Sequence, residues 1–168
     1  MKKILVIHNK YRLTGGEDIA VSKEIALLKQ KFEVKVLFFD NTIKNYLKQM
    51  FWFLLNSNTD SDKQVKKILK EFSPDIAYVH NTWFKGSLGI FKILKESNIS
   101  TVLKLHNFRY YCTKSYSTKN HLINNHPCQA CGFNKKQLGL FNKYFQNSWL
   151  QSLIVNRYGK KYFKIIKE

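Results

Sequence analysis

The sequence predicts an α/β fold, an open parallel sheet with helices on both faces. Three observations carry that prediction. Short β-rich runs alternate with helix-like stretches from the first residues onward, the pattern of parallel strands joined by crossover helices. The first run, Ile4 to Ile7, is apolar at every position, as a strand buried on both faces requires. Three of the runs end in the same dipeptide: His8-Asn9, His80-Asn81 and His106-Asn107. Ligands of such sheets bind at the carboxyl ends of the strands. The recurrence therefore predicts a polar edge of three imidazoles and three amides. A single His-Asn reads equally well as a strand-end side chain bonded to nearby backbone; three on one sheet favour a ligand edge.

The elements follow in order. Lys3 to His8 is the first strand, and the loop after it closes in Gly15-Gly16. Glu17 to Lys31 carries Ile19, Ala20, Ile25, Ala26 and Leu28 at helix-like spacing, with Glu17 and Asp18 in the first turn, where acids suit the helix dipole. Glu33 to Phe39 is the second strand. Ile43 to Leu55 and Asp62 to Phe72 read as helices separated by the polar Asn56 to Asp60. Phe51, Trp52, Phe53 and Leu54 cannot all face one side of a helix, and they read as core or interface. Asp75 to His80 is the third strand. Gly86 to Ser97 is a helix with Leu88, Phe91 and Leu94 or Lys95 on one stripe, and Thr101 to His106 is the fourth strand.

After the fourth strand the periodicity fades over 107–134, a Cys-containing loop. A loop of that length in a compact domain is usually functional or flexible. The stretch 135–168 reads as a basic helical tail with Gly159 as a point of interruption. The order β-α-β-α-α-β-α-β, with right-handed crossovers, gives one Rossmann-like domain over residues 1–168.

Composition narrows the classes. The chain has 168 residues and 44% apolar content, enough for one domain with a real core. Its longest apolar run, Met50 to Leu55, is far short of the ~20 residues of a spanning helix. The apolar run near the N-terminus is too short for a signal peptide. A cytoplasmic location with reduced cysteines is therefore expected. The formal charge is +18, from 29 Lys and Arg against 11 Asp and Glu. From Ser97 to Lys167 there is no carboxylate, while that stretch carries 12 Lys and Arg. Such asymmetry points to an anionic partner: phosphate, a lipid surface or nucleic acid. A Lys-rich proteome would explain the excess base but not the missing acids.

Several motifs carry chemistry. Gly15-Gly16 ahead of a helix N-terminus lets backbone N–H groups approach an anion, and it reads equally as a tight turn. Glu17 and Asp18 directly after it suit hydrogen bonds from sugar hydroxyls better than a simple phosphate cradle. Cys128 and Cys131 have zinc-knuckle spacing, and Cys112 with His121 or His126 would complete four ligands. The same residues read equally as three reduced cysteines packing a long loop. In the tail, Leu138, Phe141, Phe145 and Trp149 form one stripe; Leu150, Leu153, Ile154, Tyr158 and Tyr162 form another. That tail packs on the sheet or on a further domain. A sharper reading is peripheral association with an anionic membrane at its inner face.

The blocks G-G-E-D at 15–18, P-D-I-A-Y-V-H-N-T at 74–82, L-H-N-F-R-Y-Y-C at 105–112 and P-C-Q-A-C at 127–131 resemble the N-terminal domain of family 4 glycosyltransferases. The landmarks fall in the right order and cover essentially the whole chain. The resemblance implies the GT-B architecture, two Rossmann-like domains facing across a cleft. It implies a retaining transferase that moves a sugar from a nucleotide-sugar to an acceptor, here a cell-surface glycan or lipid-linked acceptor. The N-terminal domain would bind mainly the acceptor. His106 would contact the transferred sugar, and Gly15 and Gly16 would approach the donor's diphosphate. Glu17, Asp18, His80, Asn81, Asn107 and Arg109 would line the substrate edge. No cofactor would be required, and a structural zinc stands only as the alternative that the Cys and His spacing leaves open. The family's C-terminal nucleotide-sugar domain, with its basic pair and glutamate motif, is not found in these 168 residues. The chain is therefore expected to be incomplete alone: truncated, degenerate, or one half of a split enzyme with a separate partner chain. Two rivals stand beside this reading. One is a non-catalytic binding module of the same fold. The other is a basic zinc-knuckle protein that binds nucleic acid, although its bases and aromatics form no named RNA-binding motif.

Overall fold

The computed structural model describes residues 1–11, 14–40, 42, 45–106 and 149–165. The chain divides into two compact units, Met1–His106 and Asn107–Glu168.

The first unit is α/β, with four parallel strands in an open sheet. The strands are β1 (Lys3–Lys10), β2 (Glu33–Asp40), β3 (Ile76–Asn81) and β4 (Ser100–Leu103), in the order β2-β1-β3-β4. The helices are α1 (Gly16–Leu28), α2 (Tyr46–Leu55), α3 (Thr59–Phe72) and α4 (Gly89–Glu96). β1 lies between two neighbours and is buried from Ile4 to Asn9, which is why its sequence is apolar without alternation. Ile4 and Val6 form one core with Val21 and Ile25 of α1. Leu5 and Ile7 point to the other face by the pleat and are also fully buried. The first crossover steps one way along the sheet and the next two step the other way. Right-handed connections then put α1 on one face and α3 and α4 on the opposite one.

Short polar side chains set the helix ends. The Asn45 carboxamide accepts from the Lys48 N–H at 3.0 Å and starts α2. Asn58 does the same for α3, accepting from Asp60 and Ser61, while its amide donates to the Lys85 carbonyl at 2.9 Å. α2 stops at Asn56 and α3 at Ser73, both left-handed, with φ of 55° and 49°.

Four expectations are corrected. β4 ends at Leu103, so His106 lies beyond the strand rather than at its last position. β1 runs past His8 to Lys10, because His8, Asn9 and Lys10 still pair with β2. α1 turns Asp18, Val21 and Ile25 inward and leaves Ile19 52% exposed. The bonds made by Asp18, described below, set that rotation. α4 starts at Gly89, after a turn through 82–88.

In the second unit, α5 (Trp149–Ile165) passes through Gly159 without interruption. Glycine costs a helix only about 1 kcal/mol, which is not enough to end one. The expected stripe divides: Tyr158 and Tyr162 are buried, Leu150 and Leu153 exposed. The loop at 107–134 and the tail before α5 lie outside the described residues. Among the described residues no helix is long and apolar enough to cross a membrane.

Candidate functional site

The strand ends gather three imidazoles, and the first is held from α1. His8 is fully buried, and its Nε2 lies 2.9 Å from Asp18 Oδ1. The other oxygen of Asp18 accepts the Gly15 N–H at 2.9 Å. One carboxylate in the first turn of α1 thus fastens both the end of β1 and the Gly-Gly turn. Burial pushes the Asp18 carboxyl up, but the Gly15 N–H, the His8 ring and the Tyr11 backbone outweigh it. The net position is below the ordinary value. An ionised carboxylate only accepts, so His8 Nε2 carries the hydrogen. Its Nδ1 faces Glu17 Oε1 at 3.8 Å, and both of these atoms are buried without a hydrogen-bond partner. The second Glu17 oxygen accepts from the Tyr11 hydroxyl at 3.0 Å.

The second and third imidazoles bond each other. The β1–β3 register shifts so that Ile7 pairs with Val79 and His8 with Asn81, skipping His80. A bulge of this kind re-aims a side chain. His80 Nδ1 lies 2.9 Å from His106 Nε2, with the rings stacked at 5.2 Å. The His80 ring also packs against Tyr78 at 4.3 Å and meets His8 edge-on at 6.1 Å. Burial, then the neighbouring His106, pushes the His80 imidazole down to about 4. Burial also lowers His106, against the opposing pull of Glu17. At neutral pH the pair is uncharged, one ring donating and the other accepting. His8 and His80 are buried, whereas His106 is half-exposed.

The amides serve the scaffold. Asn9 Oδ1 accepts the buried Gly86 N–H at 3.1 Å. Asn81 donates to the Asn9 carbonyl at 3.3 Å and accepts from the Trp83 N–H at 2.8 Å. These bonds pull the turn after β3 against the end of β1. A Cβ on Gly86 would sit 2.9 Å from Thr82 Cα and 3.1 Å from its carbonyl oxygen, against backbone that cannot step aside. Gly86→Ala is expected to lose about 1–3 kcal/mol, read as a lower urea midpoint at unchanged slope; an unchanged midpoint would show that the turn relaxes freely.

The structure therefore brings His8, His80 and His106 to one end of the sheet, together with Asp18 and Gly15. Asp18, Asn81 and His8 spend their polar atoms inside the protein, and Gly16 is exposed. A second cluster escaped the sequence reading. Glu24 of α1 accepts from the Tyr78 hydroxyl at 2.7 Å and from Lys104. Burial pushes Glu24 up, but Lys104 and Tyr78 outweigh it; burial and then Glu24 push the Tyr78 phenol up. Glu24 and Tyr78 border an apolar cavity of about 400 Å³ lined by Ile4, Leu27, Leu28, Ile76 and Val102. The signal was Tyr78 at the alternate position of β3 from His80, on the face that α1 covers.

Asn107, Arg109, Cys112, His121, His126, Cys128 and Cys131 lie outside the described residues. Among the described residues no three His, Cys, Asp or Glu side chains converge as a metal site. Comparisons of the chain with protein-family models, with curated proteins and with solved structures give no match.

Proposed function

We propose that this chain is the acceptor-side domain of a retaining glycosyltransferase, acting on a cell-surface glycan or lipid-linked acceptor. The donor's nucleotide-sugar is held by a second Rossmann-like domain, in the same protein or on a partner chain. The observation that supports this most is a continuous chain of contacts. It runs from Gly15 through Asp18, His8 and His80 to the half-exposed His106. That chain links the G-G-E-D block to His106, the histidine of the second block that carries the resemblance, beside the carboxyl ends of parallel strands, where ligands of such sheets bind.

The chemistry fits a neutral polyol. An uncharged His106, anchored through Nε2, offers hydrogen bonding to a sugar hydroxyl rather than a charge. Leaving-group stabilisation, in which donors face the developing diphosphate charge, falls largely to the second domain. Gly16 stands at the first turn of α1, and a Cβ there would meet nothing within 4 Å. A side chain at Gly16 therefore leaves the fold intact and obstructs only an approaching ligand. Imidazole and backbone NMR, titrated with uridine diphosphate glucose and with methyl α-glucopyranoside, tests the reading. Shifts are expected at His106 and Gly16, and Gly16→Ala and His106→Ala should each weaken binding about tenfold, with Tm unchanged for Gly16→Ala and lowered for His106→Ala, which leaves the buried His80 Nδ1 without its partner. Absence of shifts with both probes, or shifts confined to other surfaces, would sink the proposal.

A further inference from the structure

α2 has two faces, and the apolar one points outward. Gln49 and Phe53 are buried. Gln49 donates to the Phe84 carbonyl at 2.8 Å, and the Phe53 ring packs on Trp83 and Phe84 at 5.1 and 5.4 Å. Those contacts fix the rotation of the helix. On the other side Leu47, Met50, Phe51, Leu54 and Leu55 recur at three-to-four spacing and are 85%, 38%, 60%, 52% and 55% exposed. Five large apolar side chains on one solvent-facing stripe form a contiguous patch, unlike single exposed apolar residues, which are ordinary. The helix contains no acid. Lys48 borders the stripe, its Nζ 4.4 Å from the centre of the Trp52 ring and 3.9 Å from the exposed Asp60 carboxylate.

We propose that α2 lies in the surface of an anionic lipid bilayer, with the Leu47, Met50, Phe51, Leu54 and Leu55 stripe in the acyl boundary. The charge selects this occupant over a second copy of the chain. The unit that carries α2, Met1–His106, has 18 Lys and Arg against 10 Asp and Glu, so two copies would each bring net positive charge and repel. An anionic lipid surface attracts the same charge, and each Lys near it strengthens binding. Trp52 and Lys48 at the border of the stripe are the residue types that sit at headgroup level. A membrane contact at α2 is separate from the one expected of the C-terminal tail, and it stands independently of the glycosyltransferase reading.

The test is co-sedimentation of the full chain with vesicles of equal phosphatidylglycerol and phosphatidylcholine, and with phosphatidylcholine alone. Phe51→Ser with Leu54→Ser removes apolar area without changing charge, so a purely electrostatic attachment would not notice it. Binding to the anionic vesicles is expected, part of it surviving about 0.5 M salt, where exposed charges are screened. The double variant should bind about tenfold less or weaker still, with an unchanged circular dichroism spectrum. Leu47→Ser, at the most exposed position, should also weaken binding and serves if the double variant misfolds. Absence of vesicle binding overturns the proposal. So does binding that both variants leave unchanged, which would put the attachment on charges elsewhere. A concentration-dependent dimer that the variants dissociate, without vesicle binding, would make a second copy the occupant and overturn it too.

Discussion

Asp18→Ala is expected to destabilise the protein by about 2–4 kcal/mol, the cost of leaving two donors without their acceptor. Asp18 is 8% exposed and serves two donors at once, the buried His8 Nε2 and the part-buried Gly15 N–H. Alanine leaves both without an acceptor, and His8, fully buried, cannot turn to water instead. Asp18→Asn keeps the volume and one accepting oxygen, so it should cost less, about 1–2 kcal/mol. The acid dependence carries the same signature. The folded Asp18 lies below the ordinary carboxylate value, so its contribution is complete above about pH 4 and is lost as pH falls through the folded value. Urea denaturation of the variants and wild type, at neutral pH and below pH 4, reads both effects. A wild-type-like midpoint for Asp18→Ala would show that the His8–Asp18 bond does not form in solution.

What could be read beforehand divides along physical lines. β1 was legible because a strand with neighbours on both sides and helices on both faces has no polar position to hide. The meeting of His8, His80 and His106 was legible because parallel strands bring their carboxyl ends to one edge. The rotation of α1 was not. Its periodicity allowed Ile19 to face inward, but the bond from Asp18 to His8, ten residues away, decided otherwise. That bond depends on how the loop between them closes, which no spacing encodes. The same limit applies to α2. Its pattern shows an apolar stripe, yet the side turned inward was chosen by Gln49 finding the Phe84 carbonyl. Asn9 and Asn81 were legible as polar strand ends, but not as the ties that hold the turn at Gly86.

Acidification from neutral pH to about 4.5 is expected to lower stability by about 3 kcal/mol, most of it through the His80–His106 pair. In the unfolded chain a histidine takes up its proton near its ordinary value of about 6.5. In the folded chain burial holds His80 to about 4, and His106 is lowered in the same direction. Between those limits the unfolded state binds more protons. The stability contributed by the neutral rings is therefore complete above about pH 6.5 and falls as pH drops toward 4. The shared hydrogen bond orders the two protons. The first goes to the half-exposed His106, whose Nε2–H can still donate to His80 Nδ1. The second must turn His80 Nδ1 into a donor as well, which leaves two N–H groups facing each other at 2.9 Å. His8 and Lys104 further oppose that proton, and Glu24 only partly compensates. His80→Asn keeps an amide near the position of Nδ1 and removes the titrating ring, so its stability should change less steeply with pH, by close to one proton. Urea midpoints taken across this range decide the matter: equal slopes for wild type and His80→Asn, or a wild type indifferent to pH between 6.5 and 4.5, would mean that the two imidazoles are solvated rather than joined.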